Sequence, residues 1–123
     1  MTAARPVLLI VDDEARILTA LQRALRRESY EILTAETPAE AMKLLDQHRV
    51  DVILSDHKMP GMNGLALLAH ASRKQPSAAR VLITGWTEEV PPADLAAIGV
   101  RALLPKPWDD AELKKTLRAA LGR

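Results

Sequence analysis

The chain contains no cysteine, which excludes disulfide bonds and thiolate metal sites and suits a reducing compartment. Charge of one sign is missing as well. Lys and Arg number 17 against 16 Asp and Glu, a net charge of +1, so no global field draws the protein to nucleic acid or to an anionic lipid surface. The third absence is a long apolar run. Val7 to Val11 follows a basic residue near the N-terminus, but Asp12, Asp13 and Glu14 end it short of signal-peptide length. Nothing later approaches about 18 apolar residues in a row. The expectation is a soluble, cytoplasmic protein with no membrane partner and no direct nucleic-acid binding, whose function lies in a local site.

What is present suffices for one core. A chain of 123 residues that is 48% hydrophobic hides roughly two-thirds of its unfolded surface on folding. No linker, repeat or low-complexity segment divides it, so residues 1–123 are expected to form one domain with a core from about 6 to 121.

Short apolar runs alternate with stretches of helical period. Val7 to Val11, Tyr30 to Ala35, Val52 to Leu54, Val81 to Thr84 and Val100 to Leu104 read as strands. Between them Ile17, Leu18, Leu21, Ala24 and Leu25 recur at helical spacing. So do Ala41, Leu44 and Leu45, then Leu67, Leu68 and Ala71, and finally Leu113, Leu117, Ala120 and Leu121. Thr37-Pro38-Ala39-Glu40 carries a capping hydroxyl, a proline at the first helical position and a reciprocal glutamate, and Asp109 with Glu112 repeats that logic. Pro91 and Pro92 confine a short fourth helix to about Ala93 to Ile98, with Gly99 as its C-terminal cap. Strict alternation of strand and helix predicts an α/β fold with a five-stranded parallel sheet, doubly wound, helices on both faces. Ligands of such sheets sit at the carboxyl ends of the strands.

The reactive residues fall at those ends: Asp12 and Asp13 after the first strand, Asp56 after the third, Thr84 closing the fourth and Lys106 after the fifth. Carboxylates brought together repel by about 1 kcal/mol per pair at 4 Å in water and about 4 at an effective dielectric of 20, so a cation is expected. Oxygen donors without His or Cys favour a hard ion such as Mg²⁺, with Mn²⁺ able to substitute. With the charge neutralised, Asp56 can act as a nucleophile toward a phosphoryl group, and Lys106 and Thr84 can meet its oxygens. Each residue also has an ordinary reading. Asp12 or Asp13 can cap the first helix, Asp56 can precede the turns at Pro60-Gly61 and Asn63-Gly64, Thr84 can end a strand, and Lys106 can be a solvated surface lysine. The joint placement at the same ends of four strands outweighs these single readings.

Leu9-Ile10-Val11-Asp12-Asp13-Glu14, the segment Asp56-His57-Lys58-Met59-Pro60-Gly61-Met62-Asn63-Gly64, Thr84-Gly85 and Lys106-Pro107 resemble the receiver domain of two-component response regulators over nearly the whole chain. The resemblance implies a flavodoxin-like strand order 2-1-3-4-5. It also implies phosphorylation of Asp56 by a sensor histidine kinase or histidine phosphotransfer protein. Mg²⁺ would be held by Asp13, Asp56 and the backbone carbonyl of Lys58, with Asp12 orienting a metal-bound water. Lys106 would contact the phosphoryl group, the peptide before Pro107 would be cis, and Thr84 would swing toward the phosphate. The chain departs from the family pattern at Leu103, where a Tyr or Phe is usual, so an aromatic rotamer switch cannot operate.

Trp86, two residues after Thr84, is placed to shield an acyl phosphate from water, whereas Trp108 reads as packing. His48, His57 and His70 are too scattered for a metal cluster, and His57, next to Asp56, is expected to point to the other side. Two rival readings stand against phosphoacceptance. One is a phosphorylation-independent interaction module, which the missing aromatic supports. The other is an aspartate-nucleophile phosphatase of the haloacid dehalogenase type, but those enzymes carry Asp-x-Asp where this chain has Asp56-His57-Lys58, and the chain leaves no room for a cap domain. No output segment is recognised after Arg123, so the chain reads as a receiver alone, free-standing or cut from a larger regulator, with homodimer formation open. The wording around Trp86 and Trp108 resembles receivers of hydrogenase-type transcriptional regulators or HD-type phosphodiesterases.

Overall fold

The structure, a computed structural model, describes residues 5–122; the expected domain limits at residues 1–4 and 123 lie outside the described residues. Its first strand, β1 (Val7–Val11), is followed by α1 (Ala15–Leu25), β2 (Glu31–Ala35), α2 (Pro38–Gln47), β3 (Val52–Asp56) and α3 (Gly64–Lys74). Then come β4 (Ala79–Thr84), a 3₁₀ turn (Thr87–Glu89), α4 (Pro92–Ile98), β5 (Val100–Pro105) and α5 (Asp110–Ala120). All neighbouring strands pair in parallel, in the order β2-β1-β3-β4-β5. No helix among the described residues is long and apolar enough to cross a membrane.

The continuous apolar character of β1, Val-Leu-Leu-Ile-Val, reflects burial on both faces, as a central parallel strand requires. Alternate residues feed separate cores. Leu8 and Ile10 pack with Leu18, Leu21 and Leu25 of α1 and Leu113 and Leu117 of α5. Leu9 and Val11 pack with Ala41 and Leu45 of α2 and Leu67, Leu68 and Ala71 of α3, with Leu95 and Ile98 of α4 lying against the same layer. Each fully buried leucine stabilises the fold by roughly 1.5–3 kcal/mol relative to an exposed one, so the helical periods of the sequence fix which face each helix covers.

The caps act largely as the sequence predicts. The Thr37 hydroxyl accepts from the Glu40 N–H at 3.1 Å, and Asp109 accepts from Glu112 N–H at 3.0 Å. Gly99 ends α4 with φ +73°, a left-handed conformation that glycine adopts without strain. Several boundaries differ from expectation: β2 starts at Glu31, β4 already at Ala79, and β5 runs on to Pro105. β3 extends through Ser55 to Asp56, since both are buried in the ladder beside β4. The segment after Thr84 forms a 3₁₀ turn before α4, a short device with no hydrophobic period to betray it. Asn63-Gly64 is also more than a turn signal: the Asn63 side chain accepts from Ala66 N–H at 2.9 Å and caps α3, whose first residue is Gly64.

The strand order reverses at the junction of β1 and β3. The crossover through α1 leads from β1 to one side and the crossover through α2 returns to the other, which leaves a crevice at the carboxyl ends of these two strands.

Candidate functional site

Asp12 is the residue after β1 and Asp56 is the last residue of β3, so the crevice receives a carboxylate from each wall. Asp13, exposed beside Asp12, adds a third. One oxygen from each of Asp12, Asp13 and Asp56 lies within 4.8 Å of the others. Asp12 has no exposed surface and both its oxygens are engaged. Oδ1 accepts from the Glu14 N–H at 2.9 Å, and Oδ2 meets the Lys106 ammonium at 2.7 Å. The capping reading of Asp12 is therefore part of the answer, because it secures the turn into α1, whose N-cap residue Glu14 makes no side-chain cap bond.

Lys106 follows β5 and reaches across the crevice. Its ammonium also lies 3.1 Å from Oδ1 of Asp56, bridging two of the three carboxylates. Burial, then the charge of Asp12, push the Asp56 pKa above its ordinary value, while Lys106 and the backbone N–H of His57 pull it back only in part. Burial opposes the charge on Lys106, yet hydrogen bonding and charge from Asp12, with Asp56, hold its pKa above the usual lysine value. One ammonium among three acids leaves an acidic pocket of oxygen donors that fits a hard divalent cation.

Thr84 ends β4, buried, and its Oγ1 accepts the Trp86 N–H at 3.1 Å. Its carbonyl accepts from Lys106 N–H at 3.0 Å, which locks the ends of β4 and β5 together. The Lys106–Pro107 peptide is cis. Leu103, half-buried on β5 opposite Leu82, packs on the α3 and α4 side of the sheet. Trp86 is 54% exposed, and the Lys58 ammonium lies 4.1 Å from its ring centroid and 2.8 Å from Oε2 of Glu89. Trp108 is half-buried against the α1 and α5 core, and its indole N–H donates to Asp110 at 3.0 Å. An open cleft of about 650 Å³ joins these parts, lined by Asp13, Asp56 and Lys106 together with Ile17, Trp86 and Trp108.

Asp12, Asp13, Asp56 and Lys106 thus meet at one place, with Thr84 closing the neighbouring strand. The histidines do not join them as a cluster. His57 is half-buried, with Nδ1 shielded and unpaired among the described residues, and burial followed by the charge of Lys58 lowers its pKa. Sequence reasoning missed the side chains of Lys58 and Glu89 and the role of Gly64. A Cβ on Gly64 would overlap the backbone oxygen of Asp56 and stand 2.7 Å from Cδ1 of Leu82. Only the glycine of Asn63-Gly64 could have hinted at that close approach.

The profile of the response regulator receiver domain family matches residues 8–118. The hydrogenase transcriptional regulatory protein HoxA of Cupriavidus necator is 35% identical over 98% of this chain and 25% of its own length. The transcriptional regulatory protein GlrR of Escherichia coli is 35% identical over 93% of the chain and 26% of its length. The chain thus spans about a quarter of these relatives. Among solved structures, the signal receiver domain of an HD domain-containing protein from Pseudomonas fluorescens has a TM-score of 0.86 at 35% identity, covering 99% of this chain and 90% of that one. A CheY-like response regulator receiver domain protein from Methanospirillum hungatei has a TM-score of 0.90 at 27% identity, covering 96% and 94%.

Proposed function

The chain belongs to the response regulator receiver family of two-component systems, and from that premise we propose that it accepts a phosphoryl group on Asp56 in a Mg²⁺-dependent reaction. The observation that carries this reading is the convergence of Asp12, Asp13 and Asp56 within 4.8 Å beneath the Lys106 ammonium. Residues 6–121 act as one receiver, and the reaction occurs in the cytoplasm.

Asp13 and Asp56, with the backbone carbonyl of Lys58, hold the cation. Asp12, whose oxygens are already engaged by Glu14 and Lys106, acts from behind by orienting a water. The ion, when bound, neutralises charge between the carboxylates and the incoming phosphoryl oxygens. An Asp56 carboxylate oxygen attacks phosphorus, the bond from phosphorus to the donor imidazole nitrogen breaks with its electron pair left on that nitrogen, and the released imidazole draws any proton it needs from water. Lys106 is close enough to Asp56 to meet a phosphoryl oxygen, and Thr84 supplies a hydroxyl from the adjacent strand. Trp86 screens the product from water. The donor is a sensor histidine kinase or a phosphotransfer protein. By analogy with the transcriptional regulators it resembles, the receiver controls a transcriptional output.

Leu103 favours a second reading, an interaction module that works without phosphorylation. Intact-mass spectrometry after incubation with acetyl phosphate and Mg²⁺ separates the two. A single phosphoryl adduct is expected, absent from Asp56→Asn and from chelated samples. No adduct from this donor or from phosphoramidate would overturn the phosphoacceptor reading.

A further inference from the structure

We propose that Trp86 takes over the relay that a ring at position 103 cannot perform: when Thr84 turns toward phosphorylated Asp56, Trp86 leaves a clasp with Lys58 and Glu89 and frees the segment before α4. This rests on the phosphoacceptor reading and assigns it a route out of the site.

Three contacts form the clasp. The Thr84 hydroxyl oxygen accepts the Trp86 N–H at 3.1 Å. The Trp86 ring lies under the Lys58 ammonium, 4.1 Å from its centroid, and that ammonium pairs with Glu89 at 2.8 Å. Lys58 stands two residues after Asp56 on the loop between β3 and α3, whereas Trp86 and Glu89 belong to the segment between β4 and α4. Side chains therefore tie the acceptor's own loop to the segment that follows Thr84.

Rotation of Thr84 toward a phosphoryl oxygen withdraws the acceptor from the Trp86 N–H, and that N–H must then find water or move. The segment is built to move. The 3₁₀ turn and α4 contain no buried residue, and Val90 between them is the buried anchor. A stretch with so few buried apolar contacts lies at the low end of local stability. The Lys58 pair is largely exposed, with side-chain exposures of 48% and 54%, so it holds the ring weakly and yields to a change at Thr84. Leu103 lies in the aliphatic layer with Leu95 and Ile98 and offers no ring to rotate, so Trp86 is the aromatic group linked to Thr84.

The test uses the full chain carrying Trp108→Phe, so that fluorescence reports Trp86 alone, with intact mass recording the adduct on the same sample. Emission is expected to shift in proportion to adduct. Lys58→Met should shift the unphosphorylated spectrum toward the phosphorylated one and cut the remaining response by roughly two- to fivefold, the weight of an exposed cation–π contact. Lys58→Arg should restore it. Thr84→Val, compared at equal adduct, should leave the emission flat. If Trp108→Phe fails to fold, the difference between wild type and Trp86→Phe carries the same signal. Full adduct with unchanged Trp86 emission, or a Thr84→Val protein that responds like wild type, overturns the relay. Absence of adduct from two donors overturns the phosphoacceptor reading beneath it.

Discussion

The ammonium of Lys106 sits 2.7 Å from Oδ2 of Asp12, although 94 residues separate the two in the chain. Asp12 has no exposed surface, so its charge is tolerable only with this partner and the Glu14 N–H. The same ammonium reaches Asp56 at 3.1 Å, which makes Lys106 both a structural counter-ion and a candidate for phosphoryl contact.

Lys106→Met should therefore destabilise the metal-free protein by about 2–3 kcal/mol, less than for a fully buried pair because the lysine side chain keeps some exposure. Since the folded-state pKa of Lys106 is raised above 10.5, its contribution is fully present below that pH and is lost as pH climbs through the raised value. Urea denaturation of wild type and variant at neutral pH and above pH 10.5 checks both points. Equal stability at neutral pH would contradict the first.

Asp56 gives the same sign of pH dependence, although here the charged form is the disfavoured one. Its folded-state pKa is raised above 3.8, by burial and then by Asp12, so the folded state favours the protonated acid. Stability from this group is present below pH 3.8 and falls as pH rises through the raised value. Asp56→Asn removes that loss. Carboxylates 4.8 Å apart, the widest separation here, repel by about 1–3.5 kcal/mol across effective dielectrics of 80 to 20, so the variant should be more stable than metal-free wild type by about that amount at neutral pH. The gap should close toward pH 3.8. Thermal melts in chelator across this range would reveal a flat difference if the argument fails.

Mg²⁺ should raise the melting temperature. An ion present at about 100 times its dissociation constant stabilises by about 2.7 kcal/mol, roughly 8–15 °C for a chain of this size. Asp13→Asn, which removes the exposed donor, should shrink the shift, and chelation should abolish it. Calorimetry with and without the ion provides the measurement.

Gly64→Ala places a methyl group against the Asp56 carbonyl oxygen and Leu82. Overpacking of this kind costs about 2–3 kcal/mol, and the shift is transmitted to the acceptor itself. Both a lower urea midpoint and slower adduct formation are expected. An unchanged phosphorylation rate in a destabilised protein would show that the loop yields without moving Asp56.

Trp86→Ala should speed loss of the phosphoryl group, since the ring lines the cleft that holds Asp56 and, once freed from Lys58, stays at that cleft and excludes water from it. An acceleration of roughly threefold or more is expected from exposing the bond to solvent. Decay of the adduct followed by mass, with an unchanged rate, would remove Trp86 as a shield.

The unbroken apolar run of β1 and the helical spacing of Leu18, Leu21 and Leu25 set the layered fold, because a strand buried on both faces needs a layer of helices on each. Asp12, Asp13, Asp56 and Lys106 were legible as a site for a related reason: position at the carboxyl end of a parallel strand is readable once the strands are. Less was legible after Thr84. The 3₁₀ turn at Thr87–Glu89 has no period, and its placement depends on Val90 finding the core.

The sequence by itself determined the parallel sheet and the acidic edge, since both follow from short-range pattern and strand direction. Tertiary structure alone decided which contacts those residues make. That Lys106 binds Asp12 as well as Asp56, that Lys58 spans two loops to Trp86 and Glu89, and that Gly64 must lack a Cβ are distances between remote segments. Hydrogen bonds, ion pairs and steric overlap act over a few ångströms, and only folding fixes which remote atoms come that near.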